Sequence, residues 1–184
     1  MQSVPHKDRL DFYKYLNAIV SFEKVSEICN YIENNKINTS SYIYYSLSLS
    51  IAVIYARPFK QRKNIRLEKY LVPNSLISTH NLLILTRDKV FAHTDTDGLR
   101  YDGNSIVNEI SLSVRDGRIN ASMLALLFRD TEISNIRMLT NKLAEKCSYY
   151  ADKIWTKYMK KHHIDDGEYV ININKNVNSF LTNS

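Results

Sequence analysis

The stretch Ser40–Phe59 reads SSYIYYSLSLSIAVIYARPF, and whether it is a strand or a helix decides the fold class. Its centre, Ser46–Ser50, alternates Ser with Leu, the period-two pattern of a half-buried strand. The segment as a whole is 20 residues long without a glycine, and that length favours a helix. Read as a helix over 39–57, it puts Ser46 and Ser50 on a narrow face suited to close packing. Pro58 marks its end, because the residue before a proline is pushed out of helical conformation. The fold is then mainly α.

Composition points the same way. Of 184 residues only 4 are Gly and 3 are Pro. A many-stranded sandwich or barrel needs a turn signal every ~8–12 residues, and this chain lacks them. No GxGxxG or GxxxxGK[ST] string occurs, which excludes the usual dinucleotide and P-loop phosphate cradles. The length suits one domain with a substantial core. Hydrophobic residues at 44% and charged residues at 24% describe a globular chain, and 13 of its aromatics are Tyr. The start, MQSVPHKDRLDFYK, has no apolar signal core, and Tyr42–Ala56 is too short and Ser-rich to span a bilayer. A soluble cytoplasmic protein without a membrane partner is the expectation.

Outward from the central helix, Leu16, Ile19, Val20, Ile28, Cys29 and Ile32 recur at helical steps within a first helix over 8–34. Asn35–Asn38 is a turn, and Thr39 or Ser40 caps the second helix. Pro73-Asn74-Ser75 caps a third helix over 75–93. From Ile106 the period becomes two: Ile110, Leu112 and Val114, then Asp116-Gly117, then Ile119, Ala121, Met123 and Ala125. Asp-Gly between alternating runs is the strongest short hairpin signal, so a β-hairpin is expected over 106–127. Asp130 or Thr131 caps a fourth helix over 130–161, with Ile133, Ile136, Leu139, Leu143, Ala144 and Cys147 on one stripe. A strand over 168–174, EYVININ, is available to join the hairpin, and the tail after Lys175 is polar and frayed.

The chemistry is concentrated in LLILTRDKVFAH, Leu82–His93. At roughly 100° per residue, Arg87 shares a face with Leu76, His80, Leu83, Ile84, Val90 and Phe91. An arginine in an apolar stripe demands a carboxylate, a phosphate or an interface. His93 lies about 9 Å further along the axis and roughly 120° around it, where the helix ends and its last turn can redirect the ring. Histidine moves protons near neutral pH, and arginine holds a phosphate through two parallel hydrogen bonds. Together they suffice for phosphodiester cleavage without a metal.

The string RDKVFAH resembles the Arg-x(4–6)-His signature of HEPN domains (higher eukaryotes and prokaryotes nucleotide-binding), with five residues between Arg87 and His93 and the polar Asp88 after the arginine. YARPF at Tyr55–Phe59 is similar to stretches in uncharacterised bacterial relatives of abortive-infection HEPN proteins, and the order of helices over Asp8–Lys161 resembles the HEPN bundle. The resemblance implies a HEPN-like four-helix bundle carrying a small antiparallel β-hairpin or sheet as an insertion. It also implies a metal-independent endoribonuclease, a homodimer whose Arg87 and His93 face each other across a two-fold axis, with Asp88 orienting either one. Cleavage would leave a 2′,3′-cyclic phosphate and a 5′-hydroxyl. The setting implied is bacterial phage defence or a toxin–antitoxin system, with an antitoxin protein as partner and no cofactor. The alternative is a HEPN-like bundle without catalysis that serves as a binding or regulatory partner.

The densest basic run, Arg57–Lys69, holds Arg57, Lys60, Arg62, Lys63, Arg66 and Lys69 against Glu68 alone. Arg57, Arg62, Lys63 and Arg66 are candidates to track an RNA backbone, with Tyr55, Phe59 and Tyr70 to stack on bases. The cluster Lys157, Lys160, Lys161, His162 and His163 complements a helix C-terminus. His162-His163 with Asp165-Asp166 is rejected as a metal site, because adjacent helical histidines diverge and no second ligand pair has the right spacing. Cys29 and Cys147 sit in apolar stripes as buried, reduced thiols. No Ser-His-Asp, Cys-His or paired-carboxylate site is readable.

Overall fold

The computed structural model describes residues 4–91, 110–123, 128–158, 169–171, 173 and 181–183. The chain is mainly helical: α1 (His6–Asn35), α2 (Tyr42–Lys60), α3 (Ile77–Leu85) and α4 (Asp130–Tyr158). α3 runs directly into a π-helical turn, Thr86–Phe91. Two short antiparallel pairs complete the described elements: β1 (Ile110–Arg115) with β2 (Arg118–Met123), and β3 (Tyr169–Ile171) with β4 (Leu181–Asn183).

The long helices α1 and α4 form the main seam of the core. Ala18, Phe22, Val25, Cys29 and Ile32 recur at steps of four and three along α1, and all are buried. They meet Ile133, Ile136, Leu139, Leu143 and Cys147 of α4. The helices run antiparallel, because Asp8 takes hydrogen bonds from Lys157 and Tyr158 while Glu33 pairs with Arg137 at 3.2 Å. Between these ends Ser26 donates to Asn141 at 2.7 Å, and Phe12 stacks on Trp155. Both cysteines are free and buried on this seam, and burial pushes each thiol up to about 12.

α2 is a helix despite its alternating centre. Ser41, rather than Thr39 or Ser40, is its cap, accepting from the Tyr44 amide at 3.1 Å. The alternation is realised differently from the sequence expectation: Ser48 is buried, while Ser46 and Ser50 face outward and donate to the carbonyls of Tyr42 and Ser46. Pro58 does not end the helix, which continues to Lys60. A proline in the last turn loses only one hydrogen bond of the ladder, the one its missing N–H would give to the Ile54 carbonyl. α4 begins at Asp130, and Glu132 accepts from the Arg129 amide at 2.7 Å as in a capping box.

The hairpin turns at Asp116-Gly117, with φ +50° and +73°, the pair of positive angles that a two-residue type I′ turn requires. Val114 pairs with Ile119 and Leu112 with Ala121, so one face of this two-stranded ribbon is apolar. β3 pairs with β4 and not with the hairpin, and part of the tail read as frayed supplies that partner strand. Among the described residues no helix is long and apolar enough to cross a membrane.

Candidate functional site

The basic run lies on the connection from α2 to α3. The connection is pinned at the end of that run and just beyond it, where Leu67, Leu71, Val72 and Leu76 are all buried. Arg62, Lys63 and Arg66 precede these anchors and Lys69 falls among them; all four are exposed, as is Arg57 on the last turn of α2. The Leu67 amide donates to the Pro58 carbonyl at 2.9 Å, closing the loop back onto α2.

Two lysines tie the same connection to the α1–α4 seam. Lys14 of α1 is buried and donates to Glu68 at 3.2 Å, also pairing with Asp11 at 3.0 Å. Burial disfavours its charge, but the carboxylates prevail and its pKa rises. Lys146 of α4 donates to the Leu71 carbonyl at 3.3 Å. The result is a cationic loop held against three helices.

The π-helical turn stands beside the start of this loop. Lys60 Nζ reaches Asp88 Oδ2 at 2.5 Å, and Arg87 Nη1 reaches Asp88 Oδ1 at 2.9 Å. Asp88 thus accepts from two cations, one on each of its oxygens. Burial alone would raise its pKa, but the hydrogen bonds and charges of Lys60 and Arg87 outweigh it and hold the carboxyl below its usual range. Arg87 is not sunk in an apolar stripe, as a straight-helix projection implies. Its side chain is 39% exposed, whereas Thr86 beside it is buried. Long cationic side chains reach for water in this way. The wider π winding also means that a 100° projection does not carry past Leu85.

His80 belongs to the core beneath this surface. Its Nδ1 lies 2.8 Å from the Tyr55 hydroxyl, and its ring stands edge-on to Phe59. Burial, with the nearby charges of Lys69 and Lys60, pushes its pKa down to about 4, so the ring is neutral at physiological pH. Tyr55 and Phe59 are buried with it and are not available to stack on bases. Tyr70 is, at 70% exposed.

Of the sequence-derived candidates, the structure brings Arg87 and Asp88 together and joins them to Lys60, near the start of the basic run; among the described residues no hydrogen bond or ion pair joins Arg57, Arg62, Lys63 or Arg66 to them. Lys60, which bridges them, carried no signal beyond its membership of a basic run, because its partner is 28 residues away. His93 lies outside the described residues, as do Lys160, Lys161, His162, His163, Asp165 and Asp166. Among the described residues no three His, Cys, Asp or Glu side chains converge as metal ligands would. A separate cleft of about 350 Å³ lies between the C-terminal end of α1 and the start of α4, lined by Glu33, Lys36 and Asp130 among others. It flanks the turn before α2, so the length of that helix, about 27 Å, separates it from Lys60. No protein-family model, curated protein or solved structure matches this chain.

Proposed function

We propose that this chain is an RNA-binding protein with a HEPN-like bundle, acting as a metal-independent endoribonuclease. The observation that carries the reading is an anchored cationic loop whose first residue beyond Pro58 and Phe59, Lys60, is joined through Asp88 to the half-exposed Arg87. Arg57, Arg62, Lys63 and Arg66 supply the positive charge that a phosphate backbone demands, on a loop that the Leu67 amide closes against the Pro58 carbonyl.

The chemistry assigned to the π-helical turn follows from its groups. Arg87 binds the scissile phosphate through two N–H donors and stabilises the charge that grows on its oxygens. Asp88 keeps Lys60 as a partner when Arg87 turns to the phosphate, so its carboxylate is not stranded. The ribose 2′-oxygen attacks phosphorus, the bond from phosphorus to O5′ breaks, and the products are a 2′,3′-cyclic phosphate and a 5′-hydroxyl. The 2′-hydroxyl proton must leave and O5′ must gain one; His93 is the residue assigned to that transfer. The reading includes a homodimer that brings two Arg87–His93 pairs to one cleft, a setting in phage defence or a toxin–antitoxin pair, and an antitoxin protein as a further partner.

The test is cleavage of a 5′-labelled single-stranded RNA in excess EDTA by the wild-type chain, Arg87→Ala and His93→Ala. Wild-type cleavage leaving a cyclic phosphate, reduced roughly a hundredfold or more by either substitution, is the expected result. Cleavage that survives both substitutions overturns the assignment. A second reading, a non-catalytic binding bundle, is favoured by one observation: Arg87 already has a carboxylate partner in Asp88. Tight RNA binding without cleavage selects that reading.

A further inference from the structure

The surface of α4 carries a pattern that the loop and the π-helical turn do not use. Lys142, Lys146, Tyr149, Lys153 and Lys157 follow one another at steps of four, three, four and four. Steps of three and four keep side chains on one face of a helix, so these five form a single stripe about 22 Å long. All five are exposed.

Lysines at four-residue spacing are common on solvated helices, but two contacts set this stripe apart. Lys153 Nζ sits 4.3 Å from the centre of the Tyr149 ring, and the Tyr149 and Tyr150 rings meet edge to face at 5.5 Å. Tyr150 in turn stacks on Tyr15 of α1 at 5.2 Å. Tyr149 is therefore propped from beneath and still 56% exposed. A fixed, exposed aromatic ring beside a mobile cation is the element with which proteins stack one base and hold its phosphate.

The stripe is also continuous with the cationic loop. Lys146, its second member, is the residue that donates to the Leu71 carbonyl, and Leu71 follows the exposed Tyr70. A strand leaving the loop past Tyr70 meets Lys146 and then Tyr149 and Lys153. Glu145 and Asp152 flank the stripe and Asp8 pairs with Lys157 at 3.2 Å, so its surplus positive charge rests on Lys142, Lys146 and Lys153.

We infer that the Lys142–Tyr149–Lys153 stripe of α4 is a second RNA contact, which stacks a base of single-stranded RNA on Tyr149 and takes the strand onward from the α2–α3 loop. This rests on the proposed RNA binding and adds a surface and a strandedness to it. Duplex RNA keeps its bases stacked on one another and offers Tyr149 none, so a single strand is the occupant.

The experiment is fluorescence anisotropy with a labelled, unstructured oligo-uridine and a matched RNA duplex, at several salt concentrations. The proteins are the wild type, Tyr149→Ala, Tyr149→Phe, Lys142→Glu/Lys153→Glu, and a loop variant, Arg62→Glu/Arg66→Glu. Each is first checked for a wild-type thermal transition. Tyr149→Ala is expected to weaken oligo-uridine binding at least about fivefold, with Tyr149→Phe restoring it. The double lysine reversal lowers the salt dependence of binding as well as the affinity. Duplex affinity is unmoved by Tyr149→Ala. If the loop variant loses affinity while both α4 variants bind as the wild type does, the α4 contact is wrong and the loop reading stands. If the wild type binds neither RNA, both readings fall.

Discussion

The α2–α3 loop and the β1–β2 hairpin make an instructive pair. The hairpin is regular, with six paired positions and a well-formed turn, yet every residue over 112–120 is exposed. Val114 and Ile119 face each other across it at 68% and 72% exposure. The loop has almost no regular structure, only two 3₁₀ turns at Lys69–Leu71 and Asn74–Leu76, yet it buries four apolar side chains and is tied to α1, α2 and α4. Backbone regularity and anchoring are thus separate properties here. The anchored element is the irregular one, and it carries the denser run of positive charge.

The largest effect that can break this comparison is on stability. Leu71→Ala removes a fully buried side chain and is expected to cost about 2–5 kcal/mol in a urea melt. Leu112→Ala on the hairpin is expected to stay within about 0.5 kcal/mol. Equal costs would mean that the loop is no better anchored than the ribbon.

A second effect concerns the core beneath the loop, where His80 meets Phe59. Its pKa is about 4 in the folded chain against 6.5 for an ordinary histidine. Between those values the unfolded chain binds a proton that the folded chain does not. Stability is therefore whole above pH 6.5 and falls as the solution is acidified toward pH 4, by about 3 kcal/mol. Asp88 and Asp8, with lowered pKa values, lose their contributions only below the ordinary carboxylate range, so the windows are separable. In His80→Leu the melting temperature should lose its slope between pH 6.5 and 4; an unchanged slope would place the responsible proton elsewhere.

A smaller effect tests the tie to α1. A double-mutant cycle between Lys14→Met and Glu68→Gln should give a coupling of about 1 kcal/mol, since Lys14 is buried but Glu68 is partly exposed. Zero coupling would leave the apolar residues as the whole anchor. The smallest effect is expected at Gly117, whose φ of +73° strains any other side chain. Gly117→Val should fray the hairpin amides in hydrogen exchange while leaving the global melt in place.

Much of the architecture was legible in the sequence because its signals are local or periodic. Asp116-Gly117 marks a turn by its own backbone chemistry, and the stripes of α1 and α4 repeat often enough to average out exceptions. Ser40–Phe59 was legible as a helix from its length, but not in orientation: Ser46, Ser48 and Ser50 look alike until the neighbours of α2 are known. The partner of β3 was hidden, because strands of three residues such as Leu181–Asn183 show no periodicity. At the site, Arg87 and the basic run stood out by charge, whereas their meeting through Lys60 and Asp88 is tertiary. The placing of Arg87 was misjudged because a helical wheel assumes one winding and the chain changes to another at Thr86. The anchors Leu67, Leu71 and Val72 give no sustained period over so short a connection, and Leu76 reads instead as part of the Arg87 face.

The proposed function requires that RNA be held by charge on an anchored loop and not by positive charge wherever it is exposed. The hairpin tip supplies the control, since Arg115 and Arg118 are paired across it and exposed. The decisive measurement is the dissociation constant for single-stranded RNA of Arg62→Glu/Arg66→Glu beside Arg115→Glu/Arg118→Glu, two variants with the same change in net charge. The account predicts a loss of about tenfold or more for the loop variant and less than about twofold for the hairpin variant. Equal losses in the two variants would contradict it.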